Sequence, residues 1–172
     1  MLSHSVRHGR FTLKSGRESH WFVDTKQTMC RPDGLLLVAD AALPLIPDEA
    51  TAIGGLTMGG DPVAFGIAAI AAARGRELRS FSVRKEVKNH GAGGRIAGAL
   101  QEGDRVVITE DTVTRGTSIL EAVRAVREAG ADPVLALAIV DRGGTVAAML
   151  EPEGVEFVAL LTAPDLGFGY ED

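Results

Sequence analysis

The amino-acid sequence predicts an α/β domain, a mainly parallel sheet with helices packed on both faces. Three observations carry that expectation. Short apolar segments rich in β-branched residues alternate with helical segments along the chain. Each of these apolar segments runs directly into a polar or glycine-rich stretch. The chain has 172 residues, 45% of them hydrophobic, which is one domain's worth and enough to bury roughly 70% of the unfolded surface.

The elements follow in order. Phe11–Ser19 reads as a β-hairpin with a Ser-Gly turn. Leu35–Ile46 is a short apolar helix that begins after Pro32, since proline suits a first helical turn. Ala50–Ile53 is a short strand that runs into the glycine-rich Gly54–Gly60 and then a helix from about Pro62 to Arg74. Leu78–Val83 alternates as a strand does, and the polar, basic Arg84–Gly98 reads as a loop. Arg105–Thr109 is a buried β-branched strand, Glu110–Thr117 a polar turn, and Ser118–Ala129 an amphipathic helix closed by Gly130. Val134–Val140 is a strand, Thr145–Leu150 a short helix and Val155–Leu161 a last strand. Ligands of such sheets bind beyond the carboxyl ends of the strands. The polar stretches 54–60, 84–98, 110–118 and 141–144 are therefore expected to converge on one site.

Composition narrows the function classes. There is no internal repeat and no Ser/Pro-rich linker, so residues 1–172 are expected to form a single domain. Cys30 is the one cysteine, which excludes a disulfide within the chain and suggests a reduced thiol in a cytoplasmic protein. Met1–Arg10 lacks the apolar core of a signal peptide, and Leu35–Ile46 and Phe65–Ala73 are too short to span a bilayer. No membrane partner is expected. The net charge of −5 argues against a nucleic-acid partner, which would require a basic face.

Chemistry concentrates in three segments. In Arg105–Ser118 two adjacent acids, Glu110 and Asp111, follow a buried strand, and Thr112, Val113, Thr114, Arg115, Gly116, Thr117 and Ser118 lead into a helix. A helix N-terminus with free N–H groups and a close-approaching glycine suits a phosphate. Two carboxylates beside it suit sugar hydroxyls or a metal. Ser118 and Glu121 also have the spacing of a capping box, which would explain those two residues but not the acids. The second segment, Arg84–Arg95, holds four Arg/Lys residues and one acid in a chain of net charge −5. It is either a solvated loop or a glycine-hinged cationic loop that closes over an anion. The third, Asp141-Arg142-Gly143-Gly144, is either a surface pair or an arginine placed for a carboxylate.

Strand, two acids and T-x-G-T-S resemble the phosphoribosyl-diphosphate signature of the type I phosphoribosyltransferases. The resemblance implies that fold, with Glu110 and Asp111 on the ribose hydroxyls and Thr112–Ser118 around the 5-phosphate. The R-K-E-x-K-x-H-G run of Arg84–Gly91 is similar to the catalytic loop of orotate phosphoribosyltransferases. So is Phe11–Ser19 to their F-T-L-x-S-G-R-x-S segment, and Gly54–Pro62 to their diphosphate loop.

This narrower resemblance implies transfer of ribose 5-phosphate from phosphoribosyl diphosphate to orotate in pyrimidine biosynthesis. Arg84 and Lys88 would contact diphosphate, Lys85 and His90 would serve the neighbouring subunit of a homodimer, and Lys85, Lys88, His90 and Asp111 would be catalytic. Lys14, Thr114 and Arg142 would bind orotate. Mg²⁺ would be held mainly by substrate and water, with no dedicated protein ligands. Residues 1–30 would form a hood over the base, shorter than is usual in the family. Two other readings are a transferase for another base and a phosphoribosyl-diphosphate-sensing regulator.

Overall fold

The computed structural model describes residues 2–12, 16, 18–88 and 94–171 of the chain. A single helical turn, α1 (Leu2–Ser5), precedes the strands β1 (Val6–Thr12) and β2 (Glu18–Val23), which pair antiparallel as a separate two-stranded sheet. Then come α2 (Lys26–Met29), α3 (Pro32–Ala42), β3 (Ala52–Leu56), α4 (Gly60–Ala73), β4 (Arg79–Lys88) and β5 (Gly94–Gly98). The chain continues through β6 (Arg105–Val113), α5 (Thr117–Glu128), β7 (Asp132–Asp141), α6 (Val146–Leu150) and β8 (Glu156–Thr162). The main sheet has the order β5-β4-β3-β6-β7-β8, parallel throughout except for the edge strand β5.

Side chains alternate across this sheet and so build two apolar layers. Ile53, Val107, Leu135, Leu137 and Ile139 pack with α3, α4 and Trp21 on one face. Ala52, Val106, Ile108, Ala136 and Ala138 pack with α5 and α6 on the other. Helices on both faces are what the alternating sequence predicted. Among the described residues no helix is long and apolar enough to cross a membrane.

Three expected boundaries move, each for a tertiary reason. The strand expected to end at Thr109 continues to Val113, because Glu110 pairs with Ala138 and Thr112 with Val140 across the ladder to β7. The acids therefore lie in a strand and not in a polar turn. The stretch expected to be a loop at 84–98 is largely a hairpin: β4 runs on to Lys88, and β5 returns beside it, Val83 opposite Ile96. The first two glycines of Gly54–Gly60 belong to β3, which leaves residues 57–59 as the turn.

That turn is pinned by close backbone approach. A Cβ on Gly55 would lie 2.3 Å from the Thr109 carbonyl oxygen and 2.7 Å from the Gly60 Cα. The Thr109 hydroxyl donates to the Gly60 carbonyl at 2.9 Å. The start of α4 is thus seated on β3 and β6, beside the carboxyl ends of both strands. Gly55→Ala is expected to cost about 1–3 kcal/mol by overpacking and to lower Tm by several degrees in thermal denaturation. An unchanged Tm would show that the helix start is not pinned there.

Candidate functional site

Two connected cavities open at the carboxyl ends of β3, β4, β6 and β7. The larger, about 580 Å³, is lined by Thr12, Phe22, Asp24 and Lys26, by residues 111–118 and by Arg142. The smaller, about 250 Å³, is lined by Lys26, residues 56–59, Lys85, Glu110, Asp111, Thr112 and Ser118. Asp111, Thr112, Ser118 and Lys26 face both. The four polar stretches that the sequence separates do meet here.

The acids sit between the cavities. Glu110 is 6% exposed and Asp111 9%. A Glu110 carboxylate oxygen accepts from the Asp111 N–H at 3.1 Å, and an Asp111 oxygen from the Thr112 N–H at 2.8 Å. The other Asp111 oxygen accepts from the Thr25 hydroxyl at 3.1 Å and is ion-paired with Lys26 Nζ. Burial pushes Glu110 up to about 7 and the neighbouring Asp111 charge adds to the rise, against a hydrogen bond from Ser118. Lys26 is raised as well, for a different reason. Burial would lower its pKa, but the bond to Asp111 and the charges of Asp111, Asp24 and Glu110 outweigh that and raise it. Lys26 therefore stays protonated.

Sequence reading missed Lys26. It belongs to no motif and lies 85 positions from its carboxylate partner. The only hint is its place just after β2, at the edge of the expected hood.

The turn after β6 gathers a second group. Gly116 takes the left-handed conformation, φ 70°, at the N-terminus of α5, and no side chain caps that position. The alternative capping-box reading of Ser118 and Glu121 is not realised, since no side chain caps α5 and Glu121 is paired with Arg95 of β5. The first N–H groups of α5 are thus available to an anion at the cavity wall made by Thr117 and Ser118. Arg115 is exposed at the mouth of the larger cavity.

Across that cavity lies Arg142. It is not half of a surface pair, since both Asp141 and Arg142 are 5% exposed. Asp141 accepts from the N–H groups of Gly143 and Gly144, each at 3.0 Å, and so shapes the turn. The Arg142 guanidinium lies 4.4 Å over the Trp21 ring and is paired with Glu171.

The basic segment divides. Lys85 lines the smaller cavity of its own chain, although the resemblance assigns it to a neighbour's site. Arg84 donates to the carbonyls of Gly94 and Ile96, at 3.3 and 3.4 Å, and lines neither cavity. That geometry sets the Arg84 guanidinium against the hairpin. The Lys88 side chain, His90 and Lys14 lie outside the described residues. Asp61 of the glycine-rich segment is a brace, accepting from the Gly59 N–H and the Ser82 hydroxyl at 3.3 and 3.2 Å. Among the described residues, no group of three or more His, Cys, Asp or Glu is arranged to hold a metal ion.

No family model matches the chain. Individual proteins do. It is 44% identical over 165 residues to the orotate phosphoribosyltransferase of Streptomyces coelicolor, covering 95% of this chain and 91% of the relative. The crystal structure of Mycobacterium tuberculosis orotate phosphoribosyltransferase with Fe(III) dicitrate superposes with a TM-score of 0.85 at 39% identity, covering 97% of this chain and 94% of the other. That enzyme in complex with 5-phospho-α-D-ribosyl 1-diphosphate superposes with a TM-score of 0.80 at 35% identity and the same coverage.

Glu110 also makes stability depend on pH. Below about 4.5 the group is protonated whether folded or not, and its burial carries no ionic penalty. Between 4.5 and about 7 the unfolded chain ionises first, so the penalty grows, and it is complete above 7. Glu110→Gln is expected to raise Tm relative to the parent protein at pH 8 by several degrees, with the gain shrinking toward pH 4.5. The same Tm difference at both values would rule out the titration.

Proposed function

The chain belongs to the orotate phosphoribosyltransferase family, and on that premise we propose how its own residues carry the reaction. It is a pentosyltransferase that moves ribose 5-phosphate from phosphoribosyl diphosphate to orotate, in pyrimidine biosynthesis. The carrying observation is the acidic pair standing between two cavities, with Lys85 and the 57–59 turn on one side and Arg142 on the other.

The ribose lies against Glu110 and Asp111, and its 5-phosphate sits in the Thr112–Ser118 turn on the N–H groups of α5. This directs diphosphate toward Lys85 and the 57–59 turn, and the base toward Thr114 and Arg142. Lys26 and Thr25 fix Asp111 in place, so that its carboxylate is oriented to accept hydrogen bonds from the ribose hydroxyls. The bond that forms joins the orotate ring nitrogen, whose proton is released to water, to the anomeric carbon, and the bond that breaks joins that carbon to a diphosphate oxygen. Positive charge grows on the ribose as the bond breaks, where the carboxylates oppose it. Negative charge grows on the leaving group, where Lys85 and Lys88 oppose it. Lys14 and His90, by family resemblance, complete the base and diphosphate contacts.

Mg²⁺ fits this site as a substrate-borne ion. The pair offers two carboxylates, one already engaged by Lys26 and Thr25, and magnesium retains water and substrate oxygens readily. Bound there, it would neutralise diphosphate charge. A single exposed cysteine is consistent with a reducing cytoplasmic setting. The active form is a homodimer in which the basic segment of one subunit serves the other.

Incubation with orotate, phosphoribosyl diphosphate and Mg²⁺ is expected to deplete orotate absorbance. Uracil or adenine outcompeting orotate would overturn the substrate assignment. Lys88→Ala is expected to lower turnover at least tenfold with little change in Tm, and unchanged turnover would remove Lys88 from the mechanism. Mixing Lys85→Ala with a Thr117 variant distinguishes two arrangements. Recovered activity means that Lys85 acts across the dimer, and no recovery means that it serves the cavity it lines here.

A further inference from the structure

Arg142 is held by a group that lies outside every motif discussed above. Its guanidinium is 6% exposed, and a buried cation needs a counter-charge. Glu171 supplies it, from the segment that follows β8. Two further contacts fix that carboxylate and its backbone, and a third braces the ring beneath the arginine. The Ser19 hydroxyl donates to the second Glu171 oxygen at 2.6 Å, and the Glu171 N–H donates to the Arg142 carbonyl at 2.8 Å. The Phe168 ring stacks on Trp21, centroids 4.3 Å apart and planes 2° from parallel. Trp21 in turn carries the Arg142 guanidinium on its face.

The guanidinium is therefore clamped on one edge and one face. Its Nε is buried and has no hydrogen-bond partner among the described residues, while the side chain lines the larger cavity. We propose that Glu171 is a positioning residue for orotate, holding Arg142 against Trp21 so that its remaining donors meet the ligand's oxygens. This rests on the assignment of Arg142 to the base. Glu171 itself is a fixed counter-ion, anchored through Ser19 and its own backbone. It is not a carboxylate that the substrate must displace.

Steady-state kinetics on the full chain test this. Glu171→Ala is expected to raise KM for orotate about tenfold, the loss that accompanies one misaligned charged hydrogen bond. KM for phosphoribosyl diphosphate should stay within about twofold and Tm within about two degrees. Glu171→Gln keeps an acceptor for Ser19 and Arg142 and is expected to recover most of the loss. In an Arg142→Ala background, Glu171→Ala should add nothing. An unchanged KM for orotate, an equal rise in both KM values, or a fall in KM for orotate overturns the proposal, the last by showing that Glu171 competes with substrate. If Arg142→Ala leaves KM for orotate unchanged, the assignment of Arg142 fails. If Arg142→Ala raises it and Glu171→Ala does not, only the role of Glu171 fails.

Discussion

Two adjacent carboxylates buried at the end of a central strand cannot both ionise without help. Glu110 and Asp111 divide the problem between them. Asp111 takes Lys26 and Thr25, while Glu110 is left with Ser118 and an upward-shifted affinity for its proton. The pair is thus poised to gain from anything that brings hydroxyl donors or positive charge. A sugar ring carrying a cation is such a ligand. Thr25 and Lys26 after β2 and the backbone of β6 itself are drawn into satisfying these two side chains.

Around that pair the fold separates charges by direction. On one side the chain offers Lys85 and a backbone turn, suited to an anion that departs. On the other it offers an arginine flattened on an indole ring, suited to a planar acidic ligand that stays. The net charge of −5 hides this division. Arg142 and the acidic pair are both buried ionic groups, and each is made tolerable by a partner from a distant part of the chain. Glu171 stands to Arg142 as Lys26 stands to Asp111.

Much of the fold was legible from local pattern. The order of strands and helices, the glycine turn before α4 and the amphipathic α5 all follow from apolar spacing and capping residues. Strand lengths were not. Glu110–Val113 and Arg84–Lys88 are too polar to be read as strands, and only the ladders to β7 and β5 hold them extended. Glu121, at capping-box spacing from Ser118, is instead paired with Arg95, a partner invisible at a spacing of three residues.

Of the site, the sequence by itself determined the chemistry: two acids before a hydroxyl- and glycine-bearing turn into a helix, a basic segment and an Asp-Arg pair after a strand. Those groups are contiguous in the chain, and their order carries their meaning. Tertiary structure alone decided which charges neutralise which. It brought Lys26 to Asp111, set Arg84 against the hairpin carbonyls and placed Glu171 and Trp21 around Arg142. The physical reason is that ionic and stacking energies depend on separation in space and on burial. Neither quantity is written in the spacing of residues along a chain.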